Sequence, residues 1–301
     1  KYENKGEKAY EELQRLCTAN IKNEIGKCTY THMLNEGAGI ETDLTVVCID
    51  NNYFRIISSA AVRTHDKAHI LKYLSPDVEF TDVTDDIICL GVFGPKSRDL
   101  LSKLINQDLS NDNFKFGTSK NLKIGSGNVW TQRLSYVGEL GYELYINKDK
   151  GKEIYDLIVN TGKYFKLSHC GSHAMDIMRM ESGFLHWGHD ISPEENQYQA
   201  GLEFAISYKK EIDFIGKESL LKIKHQEPNR RFIMLSPKDS KPGSPLLLHE
   251  EPIYLEDKII GRTTSGNYSF NYKKNLSFGY VSSAHSNEEL SKMNLYIEVA
   301  K

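Results

Sequence analysis

No apolar run in the sequence is long enough to cross a membrane as a helix. The longest, IICLGVF at 87–93, is seven residues, whereas a span needs about 20. Nor does one sign of charge dominate: 38 basic and 41 acidic side chains leave a net charge of −3 over 301 residues. That balance gives no electrostatic reason to expect nucleic acid or an anionic membrane as a partner. Cysteine is scarce. The five residues Cys17, Cys28, Cys48, Cys89 and Cys170 are odd in number and widely spaced, with no CxxC pair. This argues against a disulfide framework or a structural zinc site and points to a reducing compartment, the cytoplasm or the mitochondrial matrix. The polar start KYENKGEKAY has no signal-peptide character and no Met, so the chain is expected to be a processed or truncated piece.

What is present is ordinary globular composition, 39% apolar and 26% charged, with enough length for one large domain or two to three smaller ones. Residues 6–20 place Tyr10, Leu13, Leu16 and Cys17 on one helical face. Strand-like runs follow at 28–34, 40–49 and 53–59, separated by the turn-forming NEGAG and DNN segments. Cys28, Cys48 and Cys89 fall inside such runs, where a free thiol is expected to be core. Further along, 62–73 reads as a helix, 78–81 and 87–93 as strands, and 97–104 as a helix opened by Pro95. The order strand, helix, strand, strand, helix, strand between about residues 53 and 137 predicts a ferredoxin-like unit and an α+β class. Beyond residue 224 the composition turns to Pro, Gly, Ser and charge, then to short β-rich runs. A larger α+β domain over 1–225 and a small all-β barrel or jelly-roll domain over 226–301 are expected.

Several motifs carry chemistry. Gly37-Ala-Gly39 superficially suggests a dinucleotide fingerprint, but the third glycine is missing and a strand follows, so a hairpin turn is expected. His186-Trp-Gly-His189-Asp190 lacks further converging ligands and does not predict a metal site. In the strand 40–49, alternation puts Glu41, Asp43 and Thr45 on one face. Those residues read either as a solvated strand face or as a general base, Asp43, held on a rigid element toward a cavity. A hairpin over 129–146 carries Tyr136 and Glu143 on its arms. The tyrosine could support an aromatic ligand, and the carboxylate could accept two parallel N–H bonds from a heterocycle edge. Arg179 suits either a ligand carboxylate or an ion pair with Glu181.

Together, NEGAGIETDLTV, FGPKSRDLL, YVGELGYELYI, MRMESGFLHWGHDISPEE, QAGLEFAI, DFIGKESLL and IIGRTTSGNYSFNYKKNLSFGYV resemble, in order, the folate-binding aminomethyltransferase family of the glycine cleavage T-protein. The variant details are similar to the C-terminal folate half of dimethylglycine and sarcosine dehydrogenases. The resemblance implies tetrahydrofolate as cofactor, with FAD only on a missing upstream domain. It also implies the iminium from an N-methylated glycine as the small-molecule substrate, and an FAD-dependent oxidase or dehydrogenase, fused or in trans, as partner. By the same resemblance, Asp43 is the catalytic aspartate, and Tyr136, Glu143 and Arg179 contact folate. Tyr30 and Thr45 are weaker candidates for lining the ligand. Relative to the family, the opening strands of the folate domain and the last C-terminal strand are expected to be missing. Three alternatives stay open: a free-standing T-protein, a folate-dependent demethylase acting on another methyl donor, and a non-catalytic regulatory subunit.

Overall fold

The chain opens with a short strand that its polar sequence conceals. In the computed structural model, which describes residues 1–282 and 285–299, β1 (Tyr2–Lys5) is followed by α1 (Ala9–Leu16), whose Ala9, Leu13 and Leu16 are buried. Then come β2 (Cys28–Leu34), β3 (Ile40–Asp50), β4 (Tyr53–Ser58), α2 (Arg63–Tyr73) and β5 (Glu79–Asp82). These strands form a five-stranded sheet in the order β2-β3-β4-β1-β5. Because β1 pairs antiparallel with both β4 and β5, it fills the gap of a split β4–α2–β5 crossover. Leu44, Val46, Cys48, Phe54 and Ile56 join Leu13, Leu16 and Ile70 in a buried cluster. Burial of that size and kind is what fixes the register of β3, since a one-residue slip would turn its apolar set to the other face.

A second sheet in the same unit is built from β6 (Ile87–Phe93), β7 (Ser119–Ile124), β8 (Gly127–Gln132) and β9 (Gly141–Asn147), with α3 (Ser97–Leu101) and α4 (Gly151–Gly162). Its order is β6-β9-β8-β7, antiparallel throughout. Val129, Tyr142, Leu144 and Ile146 pack with Ile154 and Ile158 of α4 on one face. The two sheets meet where the Cys28 amide donates to the Gly117 carbonyl and Ser119 bonds back to Gly26. Gly26 has φ of +86°, and a Cβ there would stand 2.6 Å from the Ser119 carbonyl oxygen, so this junction requires glycine.

The expected ferredoxin-like unit is therefore corrected. Its four strands are divided, β4 and β5 in one sheet and β6 and β8 in the other, and β7 stands in the chain between α3 and β8. The sequence reading passed over β7, and the order of the remaining elements does not say which strands pair.

The chain divides into two compact units. The first comprises Lys1–Met33, Glu41–Cys170 and Ala205–Ile215; the second comprises Leu34–Ile40, Gly171–Phe204 and Gly216–Lys301. In the second lie α5 (Ser172–Glu181), α6 (Gln197–Ala200), α7 (Lys217–Ile223) and the strands β10 (Arg231–Leu235), β11 (Pro252–Leu255), β12 (Lys258–Ser269), β13 (Lys274–Val281) and β14 (Leu295–Ile297). The NEGAG segment forms a turn, with the Asn35 side-chain oxygen accepting from the amides of Gly37 (3.0 Å) and Gly39 (2.9 Å). A Cβ on Gly39 would lie 2.1 Å from the Pro193 carbonyl oxygen, so the second glycine serves close backbone packing.

The expected barrel or jelly roll over 226–301 is also corrected. The described strands make one open antiparallel sheet, β10-β13-β12-β11-β14. β10 pairs with β13 alone and the three-residue β14 with β11 alone, so the two edges stay apart and no closure occurs. Residues 283, 284, 300 and 301 of that expected domain lie outside the described residues.

Candidate functional site

Asp43 stands on β3, half-buried, on the face opposite Leu44 and Val46. Burial pushes its carboxyl up to about 7; a hydrogen bond from the Tyr30 phenol opposes that rise, and the negative charge of Asp66 adds to it. Tyr30 in β2 bonds in turn to His32 Nε2 at 3.0 Å. His32 is fully buried, which drives its imidazole down to about 3, so it stays neutral. With Tyr30 donating to Asp43, the shared contact requires His32 Nε2 to carry the proton, giving a chain His32 to Tyr30 to Asp43. Desolvation holds the Tyr30 phenol well above its ordinary value, with smaller upward contributions from Asp43 and Tyr136.

Tyr136 does not lie on a strand arm as expected. β8 ends at Gln132 and β9 begins at Gly141, so the tyrosine belongs to an irregular connection. The hairpin itself exists, with Gln132 opposite Glu143. Glu143 is held on central strand β9, where Tyr145 donates to its Oε2 at 2.7 Å and burial raises the carboxyl. Thr45 shares the exposed-side alternation of Asp43 and pairs across to Ile57.

Cys28 and Cys89 depart from the core expectation. Neither belongs to a buried apolar cluster; both feel the Glu143 charge, and desolvation pushes each thiol up to about 12. Cys89 and Tyr30 keep accessible surface while being strongly desolvated, the combination expected of groups lining a recess. Cys48, by contrast, is core.

Arg179 takes a different position. It lies in α5 of the second unit, 1% exposed, with its guanidinium committed to neighbours. It pairs with Asp190, with Asp176 (2.9 Å), with the Phe184 carbonyl (3.0 Å) and with the Ser265 hydroxyl (2.7 Å). The ion-pair partner is Asp190, not Glu181, whose carboxylate accepts from Ser269 and Asn271 instead. A bulge in β12 leaves Thr264 without a cross-strand partner, which lets consecutive hydroxyls of Thr264 (2.5 Å) and Ser265 (2.8 Å) both reach Asp190. The motif around His186 is therefore an ion-pair anchor.

His32, Tyr145, Asp66 and Gln132 were not anticipated. Period-2 spacing offered two of them: His32 shares a strand face with Tyr30, and Tyr145 shares one with Glu143. Gln132 and Asp66 gave no local signal. Gln132 reveals itself only by cross-strand register, and Asp66 only by its complete burial on α2.

An α+β chain with two such units defines a class, and comparison with known proteins places it. A solved structure of the glycine cleavage system aminomethyltransferase T from Bartonella henselae superposes with a TM-score of 0.83, covering 93% of this chain and 75% of that one. At 22% identity it shows the shared fold. Residues 1–210 match the GCVT N-terminal domain, and 230–300 match the glycine cleavage T-protein C-terminal barrel domain. The chain belongs to this folate-binding aminomethyltransferase family and is related to the C-terminal folate domain of dimethylglycine and sarcosine dehydrogenases.

Among curated relatives, mitochondrial dimethylglycine dehydrogenase of Rattus norvegicus is 34% identical over 304 residues, covering 99% of this chain and 34% of the relative. The 4-methylaminobutanoate oxidase (formaldehyde-forming) of Paenarthrobacter nicotinovorans is 35% identical over 269 residues, covering 89% and 32%. The chain thus spans about a third of the length of these relatives.

Proposed function

We propose that this chain transfers a one-carbon unit to tetrahydrofolate, capturing the iminium made by oxidative demethylation of an N-methylated glycine and yielding 5,10-methylenetetrahydrofolate. The observation that carries the reading is Asp43, a carboxyl raised to about 7 on a rigid strand and addressed by the Tyr30–His32 chain. A base poised near neutrality suits proton transfer at working pH. The residues around Glu143 fit a reduced pterin: an acceptor-only carboxylate with buried polar neighbours on the same sheet face.

Bound there, tetrahydrofolate supplies the N5 nucleophile and the N10 amine that the incoming carbon bridges. Asp43 takes the proton that N10 gives up on ring closure, and its negative charge favours the cationic substrate where water is excluded. Glu143 orients the ring by accepting from N3–H and the 2-amino group, and Tyr136 offers a flat surface to it. Tyr30 and Thr45 line the approach to Asp43. Arg179 anchors α5 within the second unit. The oxidation belongs to an FAD-dependent domain, fused or separate, in the mitochondrial matrix or cytoplasm.

Titration of tetrahydrofolate into the whole protein tests this reading. Saturable binding is expected, weakened at least about ten-fold in Glu143→Ala through loss of two charge-assisted bonds. A folded protein that binds no folate would end the proposal.

A further inference from the structure

Gln132 closes β8 directly opposite Glu143 of β9 and Ser119 of β7. Cross-strand partners share a sheet face, so its carboxamide stands beside the Glu143 carboxylate. The residue is 0% exposed, and among the described residues neither Oε1 nor Nε2 has a hydrogen-bond partner. The other polar groups at this level are already engaged: the Ser119 hydroxyl donates to the Gly26 carbonyl (3.0 Å), and Glu143 accepts from Tyr145. A buried carboxamide left with its donor and its acceptor both unpaired is costly, and interiors rarely keep one.

Glu143 offers acceptors only, whereas Gln132 offers one donor and one acceptor side by side. A ring that satisfies both must present two adjacent donors and, next to them, an adjacent acceptor and donor. A tetrahydropterin has this edge: N3–H and the 2-amino group face the carboxylate, while N1 accepts and N8–H donates. A fully oxidised pterin lacks the N8 hydrogen and turns a lone pair toward Oε1.

We propose that Gln132 is a specificity-determining residue that reads the N1/N8–H edge and selects reduced over fully oxidised folate. This deepens the folate reading above and rests on it. Binding of tetrahydrofolate and of folic acid is measured in the whole protein for wild type, Gln132→Met and Glu143→Ala, together with thermal unfolding of each without ligand. Wild type is expected to prefer tetrahydrofolate. Gln132→Met should weaken tetrahydrofolate about ten-fold, leave folic acid nearly unchanged and so collapse the preference. Its unliganded melting temperature should equal or exceed that of wild type, because an unpaired buried polar group has been removed.

An unchanged preference in Gln132→Met overturns the proposal. So does a fall of several degrees in the unliganded melting temperature, which would show the carboxamide satisfied within the fold. If wild type binds neither folate, the folate reading itself fails and this inference with it. If Glu143→Ala loses binding while Gln132→Met keeps both affinity and preference, only the role of Gln132 is rejected.

Discussion

Each unit holds a carboxylate that its surroundings shield from water, Asp190 fully and Asp43 in part, and the two are treated in opposite ways. Asp190 is 1% exposed and compensated from four directions: the Arg179 guanidinium, the Thr264 and Ser265 hydroxyls, and the His186 amide at 2.9 Å. Asp43 has the Tyr30 phenol on one side and the negative Asp66 on the other, and its carboxyl rises accordingly. A carboxylate neutralised by its own fold is architecture. One left short of positive charge has its carboxyl raised, and in the proposed reaction the iminium brings that positive charge while the attacking amine gives its proton to Asp43.

Breaking the compensated centre should produce the largest effect. Asp190→Ala would take from the buried Arg179 its fully buried carboxylate partner and free two hydroxyls of β12. A loss of about 3–5 kcal/mol is expected in denaturant unfolding. A change under about 1 kcal/mol would mean the ion pair contributes no more than a surface one.

The under-compensated centre should respond in the opposite direction. Asp43→Asn is expected to lower one-carbon transfer by about 10²–10⁴-fold while keeping folate affinity, measured by turnover and titration. It should also stabilise the protein. Below about pH 4 the carboxyl is protonated in folded and unfolded chains alike and costs nothing. Between pH 4 and about 7 the unfolded chain gives up the proton that the folded chain retains, so the cost grows with pH. Asn carries no such cost, and its advantage should open over that window and level off above about 7. Partial exposure of Asp43 holds the gain to roughly 2 kcal/mol. A variant less stable than wild type at pH 8 would show Asp43 to be part of the scaffold.

The same contrast explains what the sequence made legible. Alternation in 40–49 and the hairpin around GELG gave Asp43 and Glu143 their faces, because both depend on a local period of two. β1 was hidden because YENK reads as polar. It is nonetheless an inner strand, and Glu3 is made tolerable there by Lys5 (3.0 Å) on the same strand and by Arg55 (2.7 Å) of β4, a partner that only tertiary structure brings near. The polar β7 was lost for the same reason. Arg179 was recognised as a residue of consequence, but its partner lies 11 residues on and across a turn, beyond any helical spacing rule. Closure of the last sheet was expected, yet closure depends on which edges pair, and no local pattern specifies that.

The smallest effect isolates the coupling between Asp66 and Asp43. Asp66 is fully buried on α2 and pushed up to about 6 by desolvation, and its charge is one of the causes that raise Asp43. The Ser58 hydroxyl eases its ionisation, yet neither carboxyl oxygen receives a well-formed hydrogen bond among the described residues. The Asp66 charge thus disfavours ionisation of Asp43. Asp66→Asn removes the neighbouring charge, so Asp43 should ionise at lower pH. The acid limb of the pH–rate profile should then move down, raising turnover at pH 6 about two-fold with the plateau unchanged. A limb that moves up would mean Asp66 supports the ionised form of Asp43 through structure. One that stays in place would confine the rise in Asp43 to burial alone.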